Sequence, residues 1–271
     1  MMIQEKLYEL RDAFLLYAKD RGLMILMRPF TTIFQIAFSM WTFFNFFWIM
    51  VVCAPFIIFP ILMGEKRGGK FAFKIMKVWG FSFSFLSGII YRIKNKKILQ
   101  KGQPYIFIAN HNSFLDSPAI TLAIPNQFRA LGKIEILKMP VFGLIFKYIG
   151  VVVDRSSMQS KKRSLRLIKE KLKKQIHVMI FPEGTMNNSD FDMLRFHDGA
   201  FLVAIETQTP IAPLVIKNTR KMLPKNSWRV KAGFIDVEFL EPISTEGMTI
   251  QDLQTLKMKA FEMMQNAYSN H

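Results

Sequence analysis

The sequence predicts an α/β protein, with a mostly parallel central sheet flanked by helices and an N-terminal membrane-associated helical hairpin. Three observations predict it. From about residue 92 onward, short β-branched or aromatic runs alternate with stretches of helical period. Before that point, 36 residues from Pro29 to Gly64 carry no formal charge. Basic residues flank this apolar run on both sides, among them Lys19, Arg21 and Arg28 before it and Lys66, Arg67 and Lys70 after it.

The apolar run comes first in the chain. As one helix it would extend roughly 54 Å at about 1.5 Å per residue, against a bilayer core of about 30 Å. Pro55 and Pro60 lie in its second half, where each removes a backbone donor and favours a break. Basic flanks favour the cytoplasmic side. The expectation is therefore a re-entrant hairpin with both ends on the cytoplasmic face of a membrane, a tilted single span being the alternative. The run is too long for the apolar segment of a cleaved signal peptide. A second uncharged stretch, "VWGFSFSFLSGIIY" (78–91), is short enough to lie in the interface or the core.

Composition agrees with this order. The chain has 271 residues, is 51% hydrophobic and contains 27 phenylalanines, which excludes disorder. A formal charge of +17 means that the surface attracts anions, whether nucleic acid, an anionic bilayer or a phosphate-bearing substrate. Beside so long an uncharged run, a membrane suits the charge better than nucleic acid. Cys53 stands alone, which excludes an intramolecular disulfide and a multi-cysteine zinc site.

The division expected is a membrane-associated helical region over 1–91 and an α/β domain over 92–271. Strands are predicted at 105–109, 127–131, 150–154, 177–181 and 211–217, with two more in "WRVKAGFIDVEFL" (228–240). Helices are predicted at 117–123, 140–148, 158–175 and 198–208, and a last one at 249–267, opened by Thr249 with Asp252 three residues on. The helix around "KKRSLRLIKEKLKK" (161–174) has an apolar face and a basic one. That basic face is either solvated or in contact with anionic headgroups.

Two stretches carry chemistry. "YIFIANHNSFLDSPAI" (105–120) places His111 and Asp116 at the end of a buried strand entering a helix, where open α/β sheets bind ligands. A carboxylate there can fix the imidazole tautomer and leave the other ring nitrogen as a base. By spacing alone, Asp116 fits a helix-capping role equally well. "VMIFPEGTMNNSD" (178–190) ends a second strand with Glu183, Gly184 and Thr185. Glycine lets backbone amides approach an anion, although a plain tight turn also fits the tetrapeptide.

Together these stretches carry a resemblance. "NHNSFLD" resembles the NHx₄D motif, and "FPEGT" a second signature, of the 1-acylglycerol-3-phosphate acyltransferases, a family of glycerolipid acyltransferases. "ALGKIEILKMPVFGLIFKYIGVVVDR" (130–155) and "TPIAPLVI" (209–216) are similar to its intervening and fourth blocks, in the right order, so that the likeness covers roughly 90–220. It implies that family's fold, with His111 as general base and Asp116 orienting it. It implies acceptor binding by Glu183, Gly184 and Thr185, with Lys133 and Arg155 as the matching basic positions. The implied partners are a lysolipid acceptor, an acyl thioester donor (acyl-CoA or acyl-ACP, so possible contact with acyl carrier protein) and membrane lipids, without cofactor, metal or nucleic acid. The implied product is phosphatidic acid. One departure stands out: Met186 follows Thr185 where the family usually has arginine, and methionine lacks charge-assisted donors for a phosphate. Lys133 or Arg195 would then have to supply the charge, or the acceptor carries no phosphate monoester and is, for example, an amino-acid-linked lysolipid. A non-catalytic lipid-binding protein is the reading from another class. A metal-dependent hydrolase finds no HExxH in the sequence.

Overall fold

The computed structural model describes residues 2–154 and 156–269. Its two N-terminal helices are α1 (Met2–Leu62) and α2 (Arg67–Ser87). Strand β1 (Ile89–Lys94) follows, then β2 (Ile106–Ala109), α3 (Asp116–Ala123), β3 (Phe128–Lys133), α4 (Phe142–Ile149) and β4 (Gly150–Val153). The chain continues through α5 (Met158–Lys173), β5 (His177–Ile180), α6 (Gly199–Thr207), β6 (Ile211–Lys217), the short α7 (Thr219–Met222), β7 (Gly233–Phe239) and α8 (Leu253–Ser269).

The seven strands form one sheet in the order β1-β7-β6-β2-β5-β3-β4. Every neighbouring pair is parallel except β6 with β7. Strands β2, β5 and β6 are buried along their whole length, as near-continuous apolar runs in a covered parallel sheet should be. Alternation along β2 divides the core. Phe107 and Ala109 face a cluster shared with α1 to α4, whereas Ile106 and Ile108 face one shared with α5, α6 and α8. Thr249 and Asp252 form the expected capping box ahead of α8.

The N-terminal half differs from expectation in one respect. A helical pair is present, but its turn lies at the very end of the uncharged run. Pro55 and Pro60 leave α1 continuous to Leu62, and the chain reverses over 63–66. Met50, Cys53, Ala54 and Ile57 are buried along one side of α1, in the cluster that includes Phe73, Trp79 and Phe83 of α2. That packing outweighs the single donor each proline removes. The reversal uses Gly64 at φ 145°, a conformation open chiefly to glycine. Gly68 permits the close return: a Cβ there would lie 1.7 Å from the Pro60 carbonyl oxygen.

Two further differences concern the sheet. β1 emerges from the end of the second uncharged stretch, so the division between 91 and 92 falls inside a strand. The segment 228–240 supplies one strand, not two. Its first half is instead tied by the Val230 amide, which donates to Ser39 Oγ of α1 at 2.9 Å.

Much of the outer surface of α1 and α2 is apolar. Phe44, Trp48, Phe56, Phe59, Phe81 and Phe85 are exposed. Thr31–Leu62 is long and apolar enough to cross a bilayer, and only 22% of its most apolar window is buried by the protein.

Candidate active site

Strand β2 ends in a side chain that behaves like backbone. Asn110 donates through Nδ2 to the Ile216 carbonyl and accepts at Oδ1 from the Ile216 amide, both at 2.8 Å. The chain then leaves the sheet at its C-terminal edge, and His111 is the next residue.

The geometry there centres on one oxygen. Oδ2 of Asp116, a fully buried residue, lies 2.8 Å from His111 Nδ1 and accepts the amides of Asn112 at 2.7 Å and Ser113 at 2.9 Å. The carboxylate sits in the first turn of α3, where the helix dipole favours a negative charge. With Nδ1 donating to it, the neutral ring leaves Nε2 as the acceptor. Phe181 fixes the plane of the ring, stacking on it at a centroid distance of 4.0 Å.

The second motif loop meets the first through backbone. The Glu183 carboxylate accepts the His111 amide at 2.7 Å and the Leu194 amide at 2.8 Å, and the Asn187 amide donates to the His111 carbonyl at 2.7 Å. Glu183 is only 2% exposed, and burial raises its carboxyl above the usual range, against the pull of those two amides. It fastens the two loops together and does not line the cavity beside them. Gly184 turns at φ 72° so that Thr185 and Met186 reach the cavity wall.

That cavity has a volume of roughly 530 Å³, within the usual range for a site that encloses a small ligand. His111, Lys133, Glu135 and Thr185 contribute polar groups to its lining, and Met186 lies beside Thr185. Its depth runs between the helical pair and the sheet, walled by Phe46, Met50, Trp79, Phe83, Phe128 and Ile145. The arrangement places the His111 imidazole on the wall of a largely apolar cavity.

The residues singled out from sequence are thus distributed unevenly. His111, Lys133, Gly184 and Thr185 line one cavity, Asp116 and Glu183 support it from below, and Arg155 lies outside the described residues. Of the two cations considered for a phosphate, Lys133 is on the wall and Arg195 is not. Sequence reasoning missed Phe181, although the aromatic residue before "PEGT" was in view. It also missed Tyr268, whose hydroxyl accepts from Asn112 Nδ2 at 3.4 Å and whose position 156 residues away gives no local signal. Arg220 was missed as well; it donates to the carbonyls of Asn187 and Phe191 and so braces the loop after Met186. Among the described residues, no three His, Cys, Asp or Glu side chains gather as a metal site.

A histidine–aspartate pair stands at the C-terminal edge of a parallel sheet and opens on an apolar cavity, and residues 90–217 match the family model described as Acyltransferase. The proteins this chain is similar to are 1-acyl-sn-glycerol-3-phosphate acyltransferases. It is 30% identical over 181 residues to the human 1-acyl-sn-glycerol-3-phosphate acyltransferase beta, covering 65% of this chain and 63% of that protein. It is 30% identical over 185 residues to the human alpha enzyme, covering 68% and 65%. The chain thus spans somewhat under two thirds of the length of these relatives. The crystal structure of the 1-acyl-sn-glycerophosphate (LPA) acyltransferase PlsC from Thermotoga maritima superposes with a TM-score of 0.74 at 23% identity, covering 87% of this chain and 95% of that one, which establishes the shared fold.

Proposed function

We propose that this protein is a membrane-bound O-acyltransferase. It transfers an acyl chain from an acyl thioester, acyl-CoA or acyl-ACP, to the free hydroxyl of 1-acylglycerol 3-phosphate, giving phosphatidic acid. The observation that carries the reading is the 2.8 Å contact of His111 Nδ1 with Asp116 Oδ2 at the mouth of the apolar cavity.

In this reading His111 Nε2 takes the proton of the acceptor hydroxyl as its oxygen attacks the thioester carbonyl. The carbon–sulfur bond then breaks, and the imidazolium returns the proton to the departing thiolate. Asp116 holds the ring and stabilises its charged form. The hydroxyl is itself the nucleophile, so no serine is needed. Lys133 faces the acceptor headgroup, Thr185 adds a donor beside it, and the acyl chain lies along the aromatic wall. The exposed apolar faces of α1 and α2 keep the cavity at the lipid surface, on the cytoplasmic side by the basic flanks.

Met186 favours one second reading, the same chemistry on a lysolipid without a phosphate monoester, since it lines the cavity with no charged donor. The test is an acceptor panel with one acyl thioester and purified protein in lipid. Lysophosphatidic acid should be the best acceptor, and His111→Ala should lower its turnover by about 10²–10⁴-fold. Turnover retained in His111→Ala rejects the base. Absence of transfer to every acceptor by the unaltered protein favours a non-catalytic lipid-binding protein.

A further inference from the structure

We propose that a second pocket, at the opposite end of the sheet from the acyl-transfer cavity, binds a phosphate-bearing anion through Lys70, Lys96, Lys97, Lys101, Tyr105 and His177. The pocket has a volume of roughly 470 Å³ and opens where the parallel strands begin. Tyr105 precedes β2, and His177 is the first residue of β5. His111 lies six residues beyond Tyr105 along the strand direction, on the order of 20 Å away at about 3.3 Å per residue. Nothing in acyl transfer as described above uses this pocket.

Its chemistry is one-sided. Four lysines line it, and no aspartate or glutamate does. Like charges gathered in a concavity repel one another unless an anion joins them. The floor adds donors that the protein leaves unused. His177 is 6% exposed, and its Nδ1 accepts the Tyr105 amide at 3.1 Å. The neutral ring must therefore carry its proton on Nε2, which has no acceptor among the described residues. Burial holds this imidazole at about 4, which keeps it a neutral donor. Tyr105 is 3% exposed; its hydroxyl accepts from the Gln100 amide at 3.0 Å, and its own proton likewise has no acceptor among the described residues.

Two buried neutral donors beneath four ammonium groups exceed what a carboxylate's single charge and two oxygens can satisfy. A phosphate ester or a pyrophosphate has enough charge and enough acceptor oxygens. Two sources share that chemistry. One is a soluble phosphorylated molecule. The other is an anionic phospholipid headgroup, since Lys70 of α2 is followed at once by the exposed Phe71.

The experiment uses the full-length protein labelled with ¹⁵N-histidine, with the His177 signal assigned by its loss in His177→Phe. One arm titrates inorganic pyrophosphate in detergent. The other compares nanodiscs of phosphatidylcholine alone with nanodiscs that also contain phosphatidylglycerol. The His177 Nε2 signal should shift saturably in at least one arm. A shift with pyrophosphate assigns the pocket to soluble phosphates, and a shift confined to the anionic nanodiscs assigns it to headgroups. His111, in the same spectrum, reports separately on anions entering the acyl-transfer cavity. Lys97→Gln/Lys101→Gln, at two exposed positions, should weaken the effective binding about tenfold or more and leave acyl transfer unchanged. An unmoved His177 signal in both arms overturns the proposal, as does undiminished affinity in the double variant.

Discussion

One carboxylate oxygen organises the start of α3. Oδ2 of Asp116 takes the imidazole and two amides at once, so the same atom shapes the loop and positions the ring of His111. Asparagine at this position keeps the size of the side chain but removes the charge that stabilises an imidazolium. We expect Asp116→Asn to lower kcat by about 10²–10⁴-fold with little change in acceptor KM. Steady-state kinetics decides this, and an unchanged kcat would remove the carboxylate from the reaction. Met186 poses the complementary question, that of headgroup choice. It shares the cavity wall with Lys133 and Thr185. An arginine there adds charge-assisted donors for a phosphate monoester, so Met186→Arg should raise kcat/KM about tenfold for lysophosphatidic acid relative to a neutral lysolipid. An equal change for both acceptors would show that this position does not read the headgroup. Both residues stand out in the sequence because their signals are local, five residues apart or adjacent to a motif. Glu183 was legible as part of the site but not in its role. Its two partners are backbone amides 72 and 11 residues away, and no side-chain pattern announces a carboxylate that serves the main chain.

At the scale of elements, the turn between α1 and α2 is pinned by a charge cluster. Glu65 pairs with Lys171 and with Lys174 at the end of α5, and it lies 3.6 Å from Arg129, a residue only 1% exposed. Burial alone would raise the Glu65 carboxyl. The hydrogen bonds from Lys171 and Lys174, with the Arg129 charge, outweigh this and hold it at about 2. The sign follows directly. A carboxyl depressed below its ordinary 4.5 adds stability that is complete above that pH and lost as pH falls towards about 2. Glu65→Gln should cost roughly 2 kcal/mol at neutral pH, tempered by the partial exposure of the group, because it leaves the buried Arg129 without its counter-ion. Denaturant unfolding at neutral and acid pH checks this: the gap between the two proteins should close as pH falls from about 4.5 to about 2. The elements themselves were legible where one face is buried. β1 was not, because only Ile89 of its residues is buried and its charged Arg92 and Lys94 hide the alternation of a strand. The position of the hairpin turn was not legible either, since prolines mark where a helix loses donors and not whether packing holds it straight.

The charge and apolarity of the whole molecule were plain from composition, but their arrangement was not, because it depends on which face of α1 meets α2. The fold resolves this by burying Met50, Cys53, Ala54 and Ile57 and turning Phe44, Trp48, Phe56 and Phe59 outward. An outward face of that size is unfavourable in water at about 25 cal/mol per Å² and becomes favourable only against lipid or another apolar surface. The cavity lies directly beneath this helical pair, so membrane contact and substrate entry should be one arrangement. Two tryptophans allow a depth measurement. Trp48 is 55% exposed on the outer face of α1, whereas Trp79 of α2 is 3% exposed beneath it, with its Nε1 donating to the Phe46 carbonyl at 3.2 Å. In vesicles with brominated acyl chains, a variant that keeps Trp48 alone should be strongly quenched. One that keeps Trp79 alone should be quenched far less, because protein lies between it and the lipid. Equal quenching of both would mean that lipid penetrates between α1 and α2, and an unquenched Trp48 would mean that the aromatic face meets another protein surface instead of the bilayer.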